Sequence, residues 1–102
     1  DIFTCNSLMT YLCKHGRSKE AAEFFYSMTA KGHKPDIVSY CILLHGYATE
    51  GCFADMIDLF NSMKSNGIAA DCHVFNILIN GYAKRGMMDE AVLILLKCGK
   101  KE

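Results

Sequence analysis

Asn76 and Asn80 stand four residues apart in the stretch "FNILINGYAKRG", residues 75–86. Asparagine is a poor helix former, because its side chain competes for backbone hydrogen bonds. Yet Phe75, Leu78, Ile79 and Tyr82 around them keep helical spacing. A carboxamide presents both donor and acceptor atoms, so its chemistry is directional hydrogen bonding. Asn6 lies in a comparable setting in the first helix-like stretch, and aspartates recur at Asp1, Asp36 and Asp71. Other chemistries find less support. Cys41 and His45 are spaced i, i+4, as a metal-chelating pair on a helix would be, but no second pair lies nearby. No glycine-rich loop follows a strand, and no serine–histidine–acid or paired-carboxylate set shares a face. Catalysis is not indicated, and no metal or cofactor is expected.

These residues sit in a chain of 102 residues, enough for one small domain. It is 51% hydrophobic and 22% charged, the balance of a globular rather than a disordered chain. The longest strictly apolar run, Ala91–Leu96, is far too short to span a bilayer, so no membrane partner is expected. The first residues lack the basic-then-apolar order of a signal peptide. Formal net charge is +0, so charge alone does not announce a nucleic-acid partner. The six cysteines, at 5, 13, 41, 52, 72 and 98, include no Cys-x-x-Cys. Several fall on apolar stripes, where a free thiol behaves as a small hydrophobe; they are expected to be reduced and structural.

The elements that position the amides are set by a repeat. Gly16, Gly51 and Gly86 recur every 35 residues, as do Gly32 with Gly67, Gly46 with Gly81, Phe25 with Phe60 and Met28 with Met63. A fixed period of this length is the mark of a solenoid. Each unit carries two stripes with i, i+3, i+4, i+7 spacing. The first stripes are Cys5/Leu8/Met9/Leu12, Tyr40/Leu43/Leu44/Tyr47 and Phe75/Leu78/Ile79/Tyr82. The second are Ala21/Phe24/Phe25/Met28, Met56/Leu59/Phe60/Met63 and Ala91/Ile94/Leu95/Cys98. The glycines fall where helix ends want a left-handed residue. The expectation is an all-α, right-handed α-α superhelix of antiparallel pairs. Its helices lie near Thr4–Lys14, Lys19–Ala30, Ser39–Thr49, Ala54–Ser65, Val74–Lys84 and Asp89–Lys97. The whole chain, 1–102, is one solenoid segment, with repeat one at 2–36, repeat two at 37–71 and an incomplete repeat three at 72–102.

A tetratricopeptide array has a period of about 34 residues and an early tryptophan; this chain has no tryptophan. Its units, "TCNSLMTYLCKHGRSKEAAEFFYSMTAKGHKPD", "SYCILLHGYATEGCFADMIDLFNSMKSNGIAAD" and "VFNILINGYAKRGMMDEA", resemble instead the pentatricopeptide repeat. "LHGYATEG" and "NILINGYAKRGMMDEA" look most like its P-class, restorer-of-fertility branch in plants. The resemblance implies sequence-specific binding of single-stranded RNA, about one base per repeat. It also implies an organellar, mitochondrial parent protein concerned with transcript processing. The reading pairs it implies are Asn6 with Asp36 and Cys41 with Asp71; Asn76 is a reader whose partner lies past the chain's last residue. An Asn/Asp pair favours uracil in the family, with the aspartate holding the amide directly or through water. Phe3, Val38 and His73 match the base-clamping position, and Lys14 and Lys84 match one that approaches phosphates. Thr49 replaces that lysine in repeat two, Cys41 is a weak donor for a reader, and Ala69-Ala70 replaces Lys-Pro in the turn.

Two plainer readings compete. Asn6 and Asn76 could be solvated or capping side chains, and Lys14, Lys84 and Arg85 an ordinary wet face. A helical-repeat wall can also hold a protein or peptide. The last helix, "EAVLILLKCGKKE", adds a further expectation. With no successor to cover it, its leucines should leave one side in solvent and drive self-association, blunted only by Lys97, Lys100 and Lys101.

Overall fold

The computed structural model describes the backbone of residues 2–100 and, within these, the side chains of all but residues 95 and 97–100. The side chains of Leu95, Lys97, Cys98 and Lys100, and the whole of Asp1 and Lys101, therefore lie outside the description. The chain forms six helices: α1 (Ile2–Lys14), α2 (Ser18–Ala30), α3 (Ile37–Glu50), α4 (Phe53–Ser65), α5 (Cys72–Lys84) and α6 (Met88–Lys100). There is no strand among the described residues.

The stops follow from backbone chemistry. Gly51 closes α3 with φ 79°, and its counterpart Gly86 has φ 75°, the left-handed region that costs other residues a Cβ clash. The starts follow from caps. Asp36 accepts a hydrogen bond from the Ser39 amide at 3.0 Å and Asp71 one from the Val74 amide at 3.0 Å. The two caps have nearly the same backbone, φ −103° and −106°, although Pro35 precedes one and Ala70 the other. Replacing proline has not changed the turn, because the aspartate sets it. The caps also explain why α3 and α5 begin two residues earlier than the apolar stripes alone predict.

The helices form two layers. α1, α3 and α5 lie side by side, and α2, α4 and α6 each pack behind the helix that precedes them. The slab measures 37 × 29 × 18 Å. All four residues of the stripe Tyr40/Leu43/Leu44/Tyr47 are buried, as are all four of Met56/Leu59/Phe60/Met63. Aromatic pairs run between repeats: Phe25 meets Tyr40 edge-on at 5.1 Å, Phe60 meets Phe75 at 5.9 Å, and Phe53 stacks on Tyr82 at 5.0 Å. Leu8 departs from expectation. It belongs to the first stripe but is exposed, because none of the described helices covers the outer flank of α1.

Glycine sets the spacing within the inner layer. A Cβ at Gly81 would lie 2.8 Å from the Cβ of Ala48, and one at Gly46 would lie 3.1 Å from the Cβ of Cys13. The helices thus approach backbone to side chain. The corresponding residue of α1 is Tyr11, which is exposed. Within the three inner helices, glycine stands where a preceding helix presses against the position.

A second joint comes from charge. Glu50, at the end of α3, accepts hydrogen bonds from the Ser18 amide at 2.9 Å and the Ser18 hydroxyl at 2.7 Å. It thereby caps the start of α2, whose own preceding residue, Arg17, makes no side-chain cap. One period later the charge is reversed: Arg85 reaches back to the Thr49 carbonyl at 3.3 Å, near the end of α3. An anion sits at a helix N-terminus and a cation at a C-terminus, each matched to the local dipole.

Candidate nucleic-acid interface

The face of the inner layer turned away from α2, α4 and α6 carries the off-stripe residues. Between α1 and α3 it opens into a cleft of about 510 Å³ whose walls include Lys14, Val38, Cys41, Thr49, Asp71 and His73. A second cleft of about 400 Å³ continues it between α3 and α5, walled by His45, Thr49, His73, Asn76, Asn80 and Lys84. Thr49 and His73 belong to both, so the two form one path across the repeats. Lys14 and Lys84 are exposed on this path. Thr49, exposed between them, supplies a hydroxyl where a third cation would stand, and that hydroxyl donates to the His45 carbonyl at 2.8 Å.

Asn6 and Asp36 are brought together through a third residue. The Ser39 hydroxyl lies 2.7 Å from Asn6 Oδ1 and 3.0 Å from Asp36 Oδ1. Partial burial opposes ionisation of Asp36. Hydrogen bonds from the Ser39 amide and hydroxyl and from the Asn6 side chain outweigh it, and the carboxyl lies below its ordinary value. Asn6 is half-buried and lies inside α1, so it does not cap that helix. Asp36 faces a separate depression at the α2–α3 turn, with Tyr40 and Asn66, whose amide donates to the Tyr40 hydroxyl at 3.0 Å.

Cys41 occupies the place of Asn6 one period on. Burial, then the charges of Asp71 and Asp36, push its thiol up to about 11. It remains protonated near neutrality and can offer only a weak S–H donor. Asp71 meets Val74 where Asp36 meets Ser39, so the second pair lacks the bridging hydroxyl. Asn76 is exposed on the wall of the second cleft. Of the three residues at the clamping position, Val38 and His73 line the path, whereas Phe3 projects into solvent with 77% of its surface exposed. Among the described residues no group of three His, Cys, Asp or Glu side chains is placed to hold a metal. Cys5, Cys13, Cys41, Cys52 and Cys72 are free thiols.

Three residues of this face escaped the sequence reading. Ser39 joins the first pair, and Ile37 and Ile77 give the first cleft its apolar floor. The signal for Ser39 was present in the Asp-x-x-Ser spacing of a capping box. Its reach to Asn6 in the preceding repeat has no local signature.

Comparison with known proteins decides the family. The model described as PPR repeat family matches residues 1–49 and again 35–84, and the one described as PPR repeat matches residues 73–101. This chain belongs to the pentatricopeptide repeat family. A mitochondrial pentatricopeptide repeat-containing protein of Arabidopsis thaliana is 40% identical over 40 residues, 39% of this chain and 5% of that protein. Another from the same plant is 44% identical over 46 residues, 45% of this chain and 6% of its own length. The chain thus spans a small fraction of the curated relatives it matches. Among solved structures, pentatricopeptide repeat protein PPR10 from maize superposes with a TM-score of 0.88 at 27% identity, covering 98% of this chain and 14% of that one. PPR10 in complex with an 18-nt psaJ RNA element gives 0.90 at 22% identity, covering 99% and 15%. The fold is that of a pentatricopeptide helical-repeat superhelix.

Proposed function

We propose that this chain binds single-stranded RNA along the wall formed by α1, α3 and α5, reading about one base per repeat. The repeats are 2–36, 37–71 and 72–102. The observation that carries the reading is that Asn6 and Asp36 are joined through the Ser39 hydroxyl, beside a path that continues past Cys41 and Asp71 to Asn76. Asn6 with Asp36 prefers uracil by family resemblance. Cys41 with Asp71 discriminates poorly, and Asn76 contributes a free amide. Val38 and His73 hold bases by side-chain contact; Phe3 is free to close over one once RNA is present. Lys14 and Lys84 meet phosphates, which fix register without reading sequence. A solved complex of PPR10 with RNA on the same fold supports this use of the family. The chain acts by binding and not by catalysis. It is part of a mitochondrial protein that alters transcript processing, of the restorer-of-fertility type.

The apolar floor of the first cleft, Ile37, Ile42 and Ile77, favours a second reading as a peptide-binding scaffold. Filter binding of short single-stranded RNA against a random peptide pool separates the two. RNA binding in the micromolar range or weaker is expected, from about 1–3 kcal/mol for each stacked base. Lys14→Ala should weaken uridine and cytidine oligomers alike and flatten the dependence on salt. Peptide capture without RNA retention overturns the proposal.

A further inference from the structure

Lys14, Thr49 and Lys84 stand one period apart at the ends of the inner helices. Lys14 and Lys84 give α1 and α5 a cation in the last turn; α3 has none. The carbonyl end of a helix carries partial negative charge, so α3 by itself would repel an anion between the two lysines. Arg85 reaches this point from the next repeat. Its Nη2 donates to the Thr49 carbonyl at 3.3 Å, and Thr49 is the residue that both clefts share. Gly51 seats the rest of the group: a Cβ there would lie 3.0 Å from Arg85 Cζ and from both terminal nitrogens. At Gly16 and Gly86, the counterparts of Gly51, a Cβ would meet nothing within 4 Å. The guanidinium thus stands against the residue from which the second lysine would have projected.

A guanidinium has five N–H donors, and the Thr49 carbonyl takes one. Arg85 is exposed, and the one ion pair among the described residues is that of Arg17 with Glu20, at 2.7 Å. Glu50, the acid next to Thr49 in sequence, is turned to Ser18. The two arginines of the chain therefore differ. Arg17 is neutralised by its own helix, whereas Arg85 keeps its charge and its remaining donors for another anion. We propose that Arg85 is a phosphate-binding residue of the RNA path, supplying from repeat three the contact that Thr49 cannot make for repeat two. The inference rests on the RNA-binding reading above and adds to it a residue outside the lysine register. A guanidinium can grip a phosphate through two parallel N–H···O bonds, which a lysine cannot. The row of cations along the wall then has no gap: Lys14 at α1, Arg85 at the end of α3, Lys84 at α5. A helix cap alone would also place Arg85 on the carbonyl; the two roles separate in the dependence on salt.

The test measures affinities of the 102-residue chain for short homopolymers of uridine and of cytidine across a salt series. Arg85→Gln keeps an N–H donor for the Thr49 carbonyl and removes the charge. It should make the fall of log affinity with log salt shallower by about 0.7, the value of one phosphate on a single strand. Extrapolated from 1 M, that slope is a loss of roughly fivefold at about 0.1 M salt, equal for the two homopolymers. Thr49→Lys should restore both slope and affinity in Arg85→Gln, and should change the wild type less, because the phosphate there already has a partner. Arg17→Gln removes the same formal charge from a group that Glu20 already holds, and should leave the slope at its wild-type value. Thr49→Lys alone keeps Arg85 in place and guards against loss of fold in Arg85→Gln: a full further gain of about 0.7 in slope would mean an unfilled position and would overturn the inference. An unchanged slope in Arg85→Gln, or an equal fall in Arg17→Gln, overturns the role of Arg85 and leaves RNA binding standing. No retention of either homopolymer by the wild type overturns the RNA reading and this inference with it.

Discussion

Gly81→Ala sets two opposed effects against each other within one residue. Gly81 is interior to α5, where alanine is favoured over glycine by about 1 kcal/mol. Were the site open, the substitution would stabilise the chain by that amount. The site is closed. The new Cβ would lie 2.8 Å from the Ala48 Cβ and 3.5 Å from the Ala48 Cα on α3, with the Phe53 ring at 3.6 Å. Carbon atoms pack at roughly 3.5–4.0 Å, so the overlap is severe, and an alanine has no rotamer with which to yield. Relief requires α3 and α5 to move apart. Overpacking of this kind costs about 1–3 kcal/mol, so the net effect should be destabilisation of about 1 kcal/mol. In a domain of this size that lowers the midpoint by about 4–8 °C. Thermal unfolding followed by circular dichroism measures it. The control is exchange of the partners: in Ala48→Gly with Gly81→Ala the methyl group changes helix and the clash disappears. That double variant should unfold above the sum of its single effects, with a coupling of about 2 kcal/mol, the size of the clash that is removed. A rise in midpoint for Gly81→Ala, together with additivity in the double variant, would show that the inner helices are not held at this spacing by glycine.

Three further outcomes follow from the same contacts. Glu50→Ala strands the Ser18 amide and hydroxyl, both buried; it should cost about 1–3 kcal/mol, read as a lower urea midpoint, whereas Glu50→Gln should recover part of the loss. Asp36 has a carboxyl value lowered by folding, so its contribution is complete above the unfolded value and disappears as pH falls through the folded one. The midpoint should therefore drop on acidification below pH about 4, less steeply in Asp36→Asn. Val92, Leu93 and Leu96 are exposed on α6 while Ala91 and Ile94 are buried; sedimentation across a concentration series should show association that Leu93→Glu with Leu96→Glu abolishes, and a monomer at all concentrations would refute it.

Helices, their order and their phase were legible because each depends on contacts between near neighbours in sequence. Apolar residues at i, i+3, i+4 and i+7 locate a buried stripe, and glycine marks its end; the observed helix ends lie within three residues of those the spacing predicts, and those at Lys14, Ala30, Ser65 and Lys84 coincide. The early starts at Ile37 and Cys72 were legible too, had Asp36 and Asp71 been taken as caps as well as reading partners. The same phase puts Val38, Cys41, His73 and Asn76 on one path, since inward-facing positions are the complement of the stripes. What spacing cannot supply is contact between repeats. Ser39 meets Asn6 across 33 residues, and Glu50 meets Ser18 across 32. Neither follows the 35-residue period, since Val74 stands in for Ser39 and Arg85 for Glu50 one period on. Such joints depend on which side chains happen to face each other once the helices are stacked.

The period itself nonetheless limits what those joints can be. Gly46 and Gly81 bring successive inner helices close enough for a methyl group to collide. That closeness places the start of α3 against α1, which is why a side chain as short as serine reaches Asn6. A wider stack would need a longer residue or a water to bridge the same pair. The glycine that looks like a packing detail and the hydroxyl that meets Asn6 therefore belong to one construction. Opening the helix spacing with Gly46→Ala should loosen the Asn6–Ser39 contact as well as the core: the added Cβ would sit 3.1 Å from the Cys13 Cβ and 2.5 Å from its sulfur. The thiol can rotate away, so the fold should survive. The amide exchange of Asn6 should nevertheless quicken, because hydrogen bonds weaken steeply once their geometry is pulled apart.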